Sequence, residues 1–289
     1  MRRVLITALA AAAFLGTGGW IKPGWTPPSA KREAKLLEER PVSIGTSYGM
    51  RSTRLKEFRR INVWLPPGYE EGEQRYPVLF LLDGGEKEDF HHITGLVQIS
   101  SAYGTTRPMI VVGIENTDRR RDMTFPSSDP QDRKDAPTSG GSERFREFLR
   151  EELQPWVQRR YRTSGDTAVM GESLAGLFVV ETFLKEPDLF DDYIAVSPSL
   201  WWDRQSLNGH ALGLLKARHF SGKRLFLTVA DEGEAMGVDA LAATLRTAQP
   251  AGLDWRFEPM SEESHATIYH PAAMKALRAL YPVPAQAAH

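Results

Sequence analysis

Cysteine is absent from the 289-residue chain. Its absence excludes disulfides, thiolate zinc sites, a cysteine nucleophile and a lipidated-cysteine anchor. No excess of one charge exists either: 36 Lys+Arg stand against 37 Asp+Glu, a net −1. With no long basic face, nucleic acid is not expected as a partner. No internal repeat is found. There is no His-Glu-x-x-His, and His91-His92 are adjacent residues whose side chains point apart. Neither a metal nor a cofactor is expected.

Long apolar runs are scarce, and the longest lies at the N terminus. Arg2-Arg3 precede the apolar Val4–Leu15 and the small residues Gly16-Thr17-Gly18-Gly19. The charge-free run Val4–Ile21 is 18 residues long. A basic start, an apolar centre and small residues read as a secretory signal, although no Ala-x-Ala follows. The length reaches the lower limit of a membrane span, so an uncleaved anchor is the alternative. Either reading gives a periplasmic or secreted protein, in the second case tethered through residues 4–21. The expected organisation is a leader or anchor at 1–21, a Pro-containing charged linker at 22–41, one domain at 42–283 and a tail at 284–289.

Within the domain, strands and helices alternate. Apolar runs at Tyr76–Leu82, Met109–Ile114, Tyr193–Ser197 and Leu225–Ala230 have the unbroken character of strands covered on both faces. Arg59–Leu65 and Asp254–Glu258 alternate instead. Helices are expected at Asp89–Gly104, Ser142–Arg162 (bent at Pro155), Val238–Ala248 and Ala272–Leu280. Glu115–Gly141 has no periodicity and reads as a long loop, and Pro198–Asp203 as a shorter one. The sum is an α/β fold: a mostly parallel sheet flanked by helices on both faces, its first strands antiparallel.

One stretch organises the rest. Thr167–Met170 is an apolar strand, Gly171-Glu172-Ser173-Leu174-Ala175-Gly176 a tight turn, and an apolar helix follows. Strand, sharp turn and helix put a serine hydroxyl at the carboxyl end of a sheet, where ligands of such folds bind. Gly171 and Ala175 are small because strand and helix come very close there. Ser173 is thus a candidate nucleophile, and Leu174 N–H, at the new helix terminus, a candidate oxyanion donor. A serine hydroxyl is a weak nucleophile until an imidazole takes its proton and a third group orients the imidazole. His210 and His219 precede the Leu225–Ala230 strand. His265 follows the last strand and is the candidate base, with His270 a minor alternative beside Pro271. Asp231, Glu232 and Glu234 crowd the end of Leu225–Ala230, and the residues alone do not choose among them. The second oxyanion donor is expected from Gly84 or Gly85, after the strand that ends at Leu82.

Several segments together resemble the esterase family of α/β hydrolases that includes siderophore trilactone, acetyl and feruloyl esterases, S-formylglutathione hydrolases and mycolyltransferases. They are Arg60–Tyr69, Tyr76–Gly84, Val112–Asp122, Gly171–Gly176, Ser197–Asp203 and Glu263–Thr267. The resemblance implies the α/β-hydrolase fold, Ser173 as nucleophile and His265 as base. Relatives carry Asn-Glu-Gly or Asp-Glu-Gly after the acid strand, which favours Glu232 as the acid, with Asp231 the second choice. Two positions depart from the family pattern: many relatives have His where Glu172 stands and Gly where Ala175 stands. Arg119, Arg120 and Arg121 are candidates for binding anionic parts of a substrate, and Trp201 and Trp202 for walling the cleft. The activity implied is a serine carboxylic-ester hydrolase acting on a small acyl or aryl ester. Its alternatives are a siderophore trilactone as substrate, acyl transfer to an alcohol, and a non-catalytic binding protein on the same fold.

Overall fold

The computed structural model describes residues 37–284, and those from Ser43 onward belong to one compact unit. Eight strands form a single sheet in the order β1-β2-β4-β3-β5-β6-β7-β8, the last four being β5 (Thr163–Glu172), β6 (Asp192–Val196), β7 (Arg224–Val229) and β8 (Asp254–Pro259). Among the described residues β1 (Thr46–Arg51) and β2 (Phe58–Trp64) come first, followed by β3 (Tyr76–Leu81), α1 (Phe90–Ala102) and β4 (Ile110–Ile114). β1 pairs antiparallel with β2, and β2 antiparallel with β4. The neighbour pairs from β4 and β3 onward are parallel. This is the α/β-hydrolase arrangement, with the antiparallel pair at one edge.

Period-two side-chain alternation distributes the strands' apolar residues over two cores. Val78, Phe80 and Leu82 enter one core, and Leu79 and Leu81 the other. Every residue of β3 and β4 is buried, as the unbroken apolar runs require. Burial of each such Val, Leu, Ile or Phe contributes about 1.5–3 kcal/mol relative to exposure. On the second face lie α1 and the last helix, α9 (Tyr269–Leu280). The other face is covered by α4 (Ser142–Phe148), α5 (Gln154–Arg160), α6 (Leu174–Lys185), α7 (Trp202–Ala217) and α8 (Val238–Ala248). Between α4 and α5 runs a π-helical turn, Leu149–Leu153, in which Gln154 N–H bonds back to Leu149 O. Pro155, just beyond, has no N–H to give and would crowd the carbonyl four residues back; the wider turn relieves both problems.

Some elements differ from expectation. β1 is an edge strand in which only Tyr48 and Met50 are half-buried against the core, on either side of Gly49, too short a pattern to stand out in the sequence. The long Glu115–Gly141 segment holds two short helices, α2 (Arg119–Met123) and α3 (Pro130–Asp135). Each starts with an aspartate cap: Asp118 accepts from Arg121 N–H and Asp129 from Gln131 N–H. Caps define both helices, with ion pairs added at α2, and neither has an apolar stripe. α7 also starts inside an expected loop. Within its first turn, after Trp202, Asp203, Arg204 and Gln205 have φ of 49, 53 and 61, and beyond them Leu207, Ala211 and Leu215 are buried at regular helical spacing.

The expected membrane tether and anchored extracytoplasmic location are corrected. Among the described residues no helix is long and apolar enough to cross a membrane. The run at 4–21 on which that expectation rested lies outside the described residues, as does most of the expected linker.

Candidate active site

The chain passes from β5 (Thr163–Glu172) into α6 through Ser173, whose φ of 60 and ψ of −120 are outside the ordinary regions for a residue with a side chain. The turn is tight enough that a Cβ on Gly171 would meet Ala175 Cβ at 2.7 Å. A Cβ on Gly176 would meet Pro198 Cα at 3.0 Å. The small residues are therefore a packing requirement. Ser173 N–H bonds to Val196 O (3.0 Å), at the end of β6 (Asp192–Val196), and Ser173 O accepts from Ser199 N–H (3.0 Å). The Ser173 hydroxyl lies 3.3 Å from that of Ser199. Leu174 N–H, first in α6, has no acceptor among the described residues.

β7 (Arg224–Val229) and β8 (Asp254–Pro259) bring up the other two groups. Glu232, three residues past β7, pairs through Oε1 with Nδ1 of His265, in the loop between β8 and α9. The imidazole side chain is 41% exposed, whereas its Nδ1 is shielded from solvent. Glu232 Oε2 accepts from Ser197 Oγ at 3.2 Å. Asp231 is exposed and meets this loop through its backbone, N–H to Glu263 O at 2.9 Å. Glu234 is exposed as well. Ser173, Val196-Ser197, Glu232 and His265 thus form one continuous string of contacts. His270 is used elsewhere, 3.0 Å from His92 Nε2 and stacked on its ring.

The glycines after β3 are engaged. Gly84 N–H bonds to Ile114 O (2.9 Å) and Gly85 N–H to the Glu88 carboxylate (2.7 Å). A Cβ on Gly84 would meet Gly113 Cα at 2.4 Å, so close strand packing alone accounts for that glycine. Gly85 can serve an oxyanion only after Glu88 lets go.

The three arginines have partners too. Arg119 makes a fork to Asp83, Nε to Oδ1 at 2.7 Å and Nη2 to Oδ2 at 2.8 Å, and reaches Glu172 O at 3.3 Å. Arg120 bonds to Asp135 O. Arg121 forks onto Glu57 and also bonds to Asp122. The run thus braces α2 and the turn before Ser173. The tryptophans divide: Trp202 is 3% exposed and donates to Phe125 O at 3.0 Å, whereas Trp201 is 42% exposed.

Glu172, just before Ser173, was not expected to lie within an acidic cluster. Burial pushes its carboxyl up to about 7, the Asp89 and Asp83 carboxylates add to this, and Arg119 opposes it. One of its oxygens is buried without a hydrogen-bond partner. No local sequence signal reveals this, because Asp83, Asp89 and Arg119 come from distant parts of the chain.

Over 193 residues, 61% of this chain and 64% of the relative, the sequence is 32% identical to a ferri-bacillibactin esterase of Bacillus subtilis. A siderophore enterobactin esterase of Emericella nidulans is 36% identical over 109 residues, 36% of this chain and 34% of that one. The matches thus span under two thirds of these curated relatives. Among solved structures, an IroE-like serine hydrolase from Shewanella oneidensis superimposes with a TM-score of 0.73 at 30% identity, covering 82% of this chain and 80% of that one. Residues 52–265 match the model of the family described as "Putative esterase", and the chain belongs to that family.

Proposed function

We propose that the protein is a serine esterase that opens a siderophore trilactone through an acyl-enzyme. The backbone of Ser173 is the observation that carries the reading: a serine held at φ 60 at the head of a helix, with an imidazole–carboxylate pair on the adjoining loops. Strain of this kind costs on the order of 1–3 kcal/mol and persists where function uses it. It also weighs against the non-catalytic alternative.

In this reading Ser173 Oγ turns from Ser199 towards His265 Nε2 and gives up its proton as it attacks the lactone carbonyl. Leu174 N–H donates to the developing oxyanion, an interaction of the sort that contributes about 3 kcal/mol in the transition state. Glu232 holds the Nδ1 proton and stabilises the imidazolium. Collapse of the tetrahedral adduct breaks the C–O bond, and His265 delivers the proton to the leaving alkoxide. Water, deprotonated by the same imidazole, then releases the acyl group and returns the proton to Ser173.

The trilactone takes precedence over a small acyl or aryl ester because the relatives just described are named for siderophore esters. The arginine run does not contribute to this choice, since its members are already paired. A hydrolysis panel tests the substrate: a catecholate trilactone, a feruloyl ester and short p-nitrophenyl esters. The reading requires the trilactone to have the highest kcat/KM; a trilactone rate no better than that of the simple esters removes it. Added alcohol leaves the acid product undiminished if the enzyme is a hydrolase, and diverts it to a new ester if it is a transferase.

A further inference from the structure

The turn after β6 contains a serine that the mechanism above leaves without a role. Ser197 is fully buried, and its φ of 38 lies in the left-handed region that glycine enters freely and other residues do not. Glycine would fit this backbone with less strain, so the side chain is kept at a conformational cost.

Its hydroxyl has one proton and two lone pairs. Ala230 N–H, at the end of β7, donates to the oxygen at 3.1 Å. That bond fixes the rotor, and the single proton goes to Glu232 Oε2 at 3.2 Å. Glu232 stands on a loop with a flexible side chain, 21% exposed. Apart from His265, Ser197 is the carboxylate's sole partner among the described residues. With Oε2 held, Oε1 faces Nδ1 of His265. The same turn holds the nucleophile, since Val196 O and Ser199 N–H bond the Ser173 backbone. Acid and nucleophile are thereby referenced to one short segment, stiffened by Pro198 and pressed against Gly176.

We propose that Ser197 is a positioning residue: its hydroxyl, locked by Ala230 N–H, seats the Glu232 carboxylate so that one oxygen meets the His265 imidazole. This rests on the reading of Ser173, His265 and Glu232 as the catalytic groups.

The test uses Ser197→Ala and Ser197→Gly, each alone and combined with Glu232→Ala. Both single variants should lower kcat between about tenfold and a hundredfold through loss of orientation, with KM unchanged. On the Glu232→Ala background neither should cost anything further. Without turnover, the downfield proton signal of His265 Nδ1–H should move upfield in both variants. That signal reports on Ser197 even if none of the esters is hydrolysed, which separates failure of this proposal from failure of the esterase reading. Ser197→Gly relieves the backbone and keeps the fold testable should the alanine variant be unstable. An unchanged Nδ1–H signal, an equal loss with and without Glu232, or a fully active Ser197→Gly would each overturn the proposal.

Discussion

Glu232 and His265 come from the loops after neighbouring strands and meet as a carboxylate–imidazole pair, Oε1 to Nδ1. Their joint position depends on the parallel pairing of β7 with β8, which carries both loops to the same end of the sheet. If these groups act with Ser173, Ser173→Ala and His265→Ala should each lower kcat by several orders of magnitude, as triad members in a serine protease do by about 10⁶. Glu232→Ala should cost less, because the carboxylate only orients and stabilises. Asp231→Ala should be nearly silent. Steady-state rates on one ester distinguish these cases; a crippled Asp231→Ala beside a normal Glu232→Ala would reverse the assignment.

The raised Glu172 carboxyl makes stability depend on pH. Its folded value is about 7 against an ordinary 4.5, so between these the folded protein holds a proton that the unfolded chain has released. Stability from this group therefore falls as pH rises through that window. Partial exposure and screening reduce the size of the effect. Glu172→Gln removes it. Thermal melts should show the variant matching wild type at pH 4.5 and pulling ahead as pH rises to 8, by a few degrees. A constant difference across that range would contradict the assignment.

Arg119 and Arg120 are neighbours in sequence with different duties. Arg119→Ala leaves Asp83, 8% exposed, without its fork and frees the Glu172 carbonyl; it should cost roughly 2 kcal/mol and lower activity. Arg120→Ala should stay within about 0.5 kcal/mol and leave the salt dependence of kcat/KM unchanged. Urea unfolding together with rates at two salt concentrations checks both. A salt-sensitive wild type made indifferent by Arg120→Ala would restore substrate steering to this run.

The buried pair of Arg59 and Asp122, 2.6 Å apart and both fully shielded, ties β2 to α2. Arg59→Ala strands the Asp122 charge and should cost about 3–5 kcal/mol, read from the shift in urea midpoint. A loss under 1 kcal/mol would mean that Arg121, also bonded to Asp122, suffices for it.

The legible parts of the sequence are those in which one physical cause acts locally. Unbroken apolar runs announced β3, β4, β6 and β7, since a strand covered on both faces has no polar side. Gly171, Ser173 and Ala175 announced the turn, since close strand–helix approach tolerates nothing larger. α2 and α3 are not legible because aspartate caps, and at α2 ion pairs, hold them without a periodic apolar face. The partners of Arg119, Arg121 and Gly84 were hidden for another reason: Asp83, Glu57 and Ile114 lie in distant segments, and residue type alone cannot show that a donor is already spent. In the sequence Ser197 is only the end of the Tyr193–Ser197 strand and the start of the Ser197–Asp203 segment. Its strained backbone and its bond to Glu232 appear once β6 and β7 lie side by side.

The account depends most on Ser173 as an activated nucleophile, and active-site phosphonate labelling measures that directly. One equivalent of a fluorophosphonate should attach to Ser173 and to no other serine, Ser199 included. Ser173→Ala should abolish the adduct and His265→Ala slow its formation by orders of magnitude. Folded wild-type protein that stays unlabelled, or that is labelled equally fast without His265, would contradict the account.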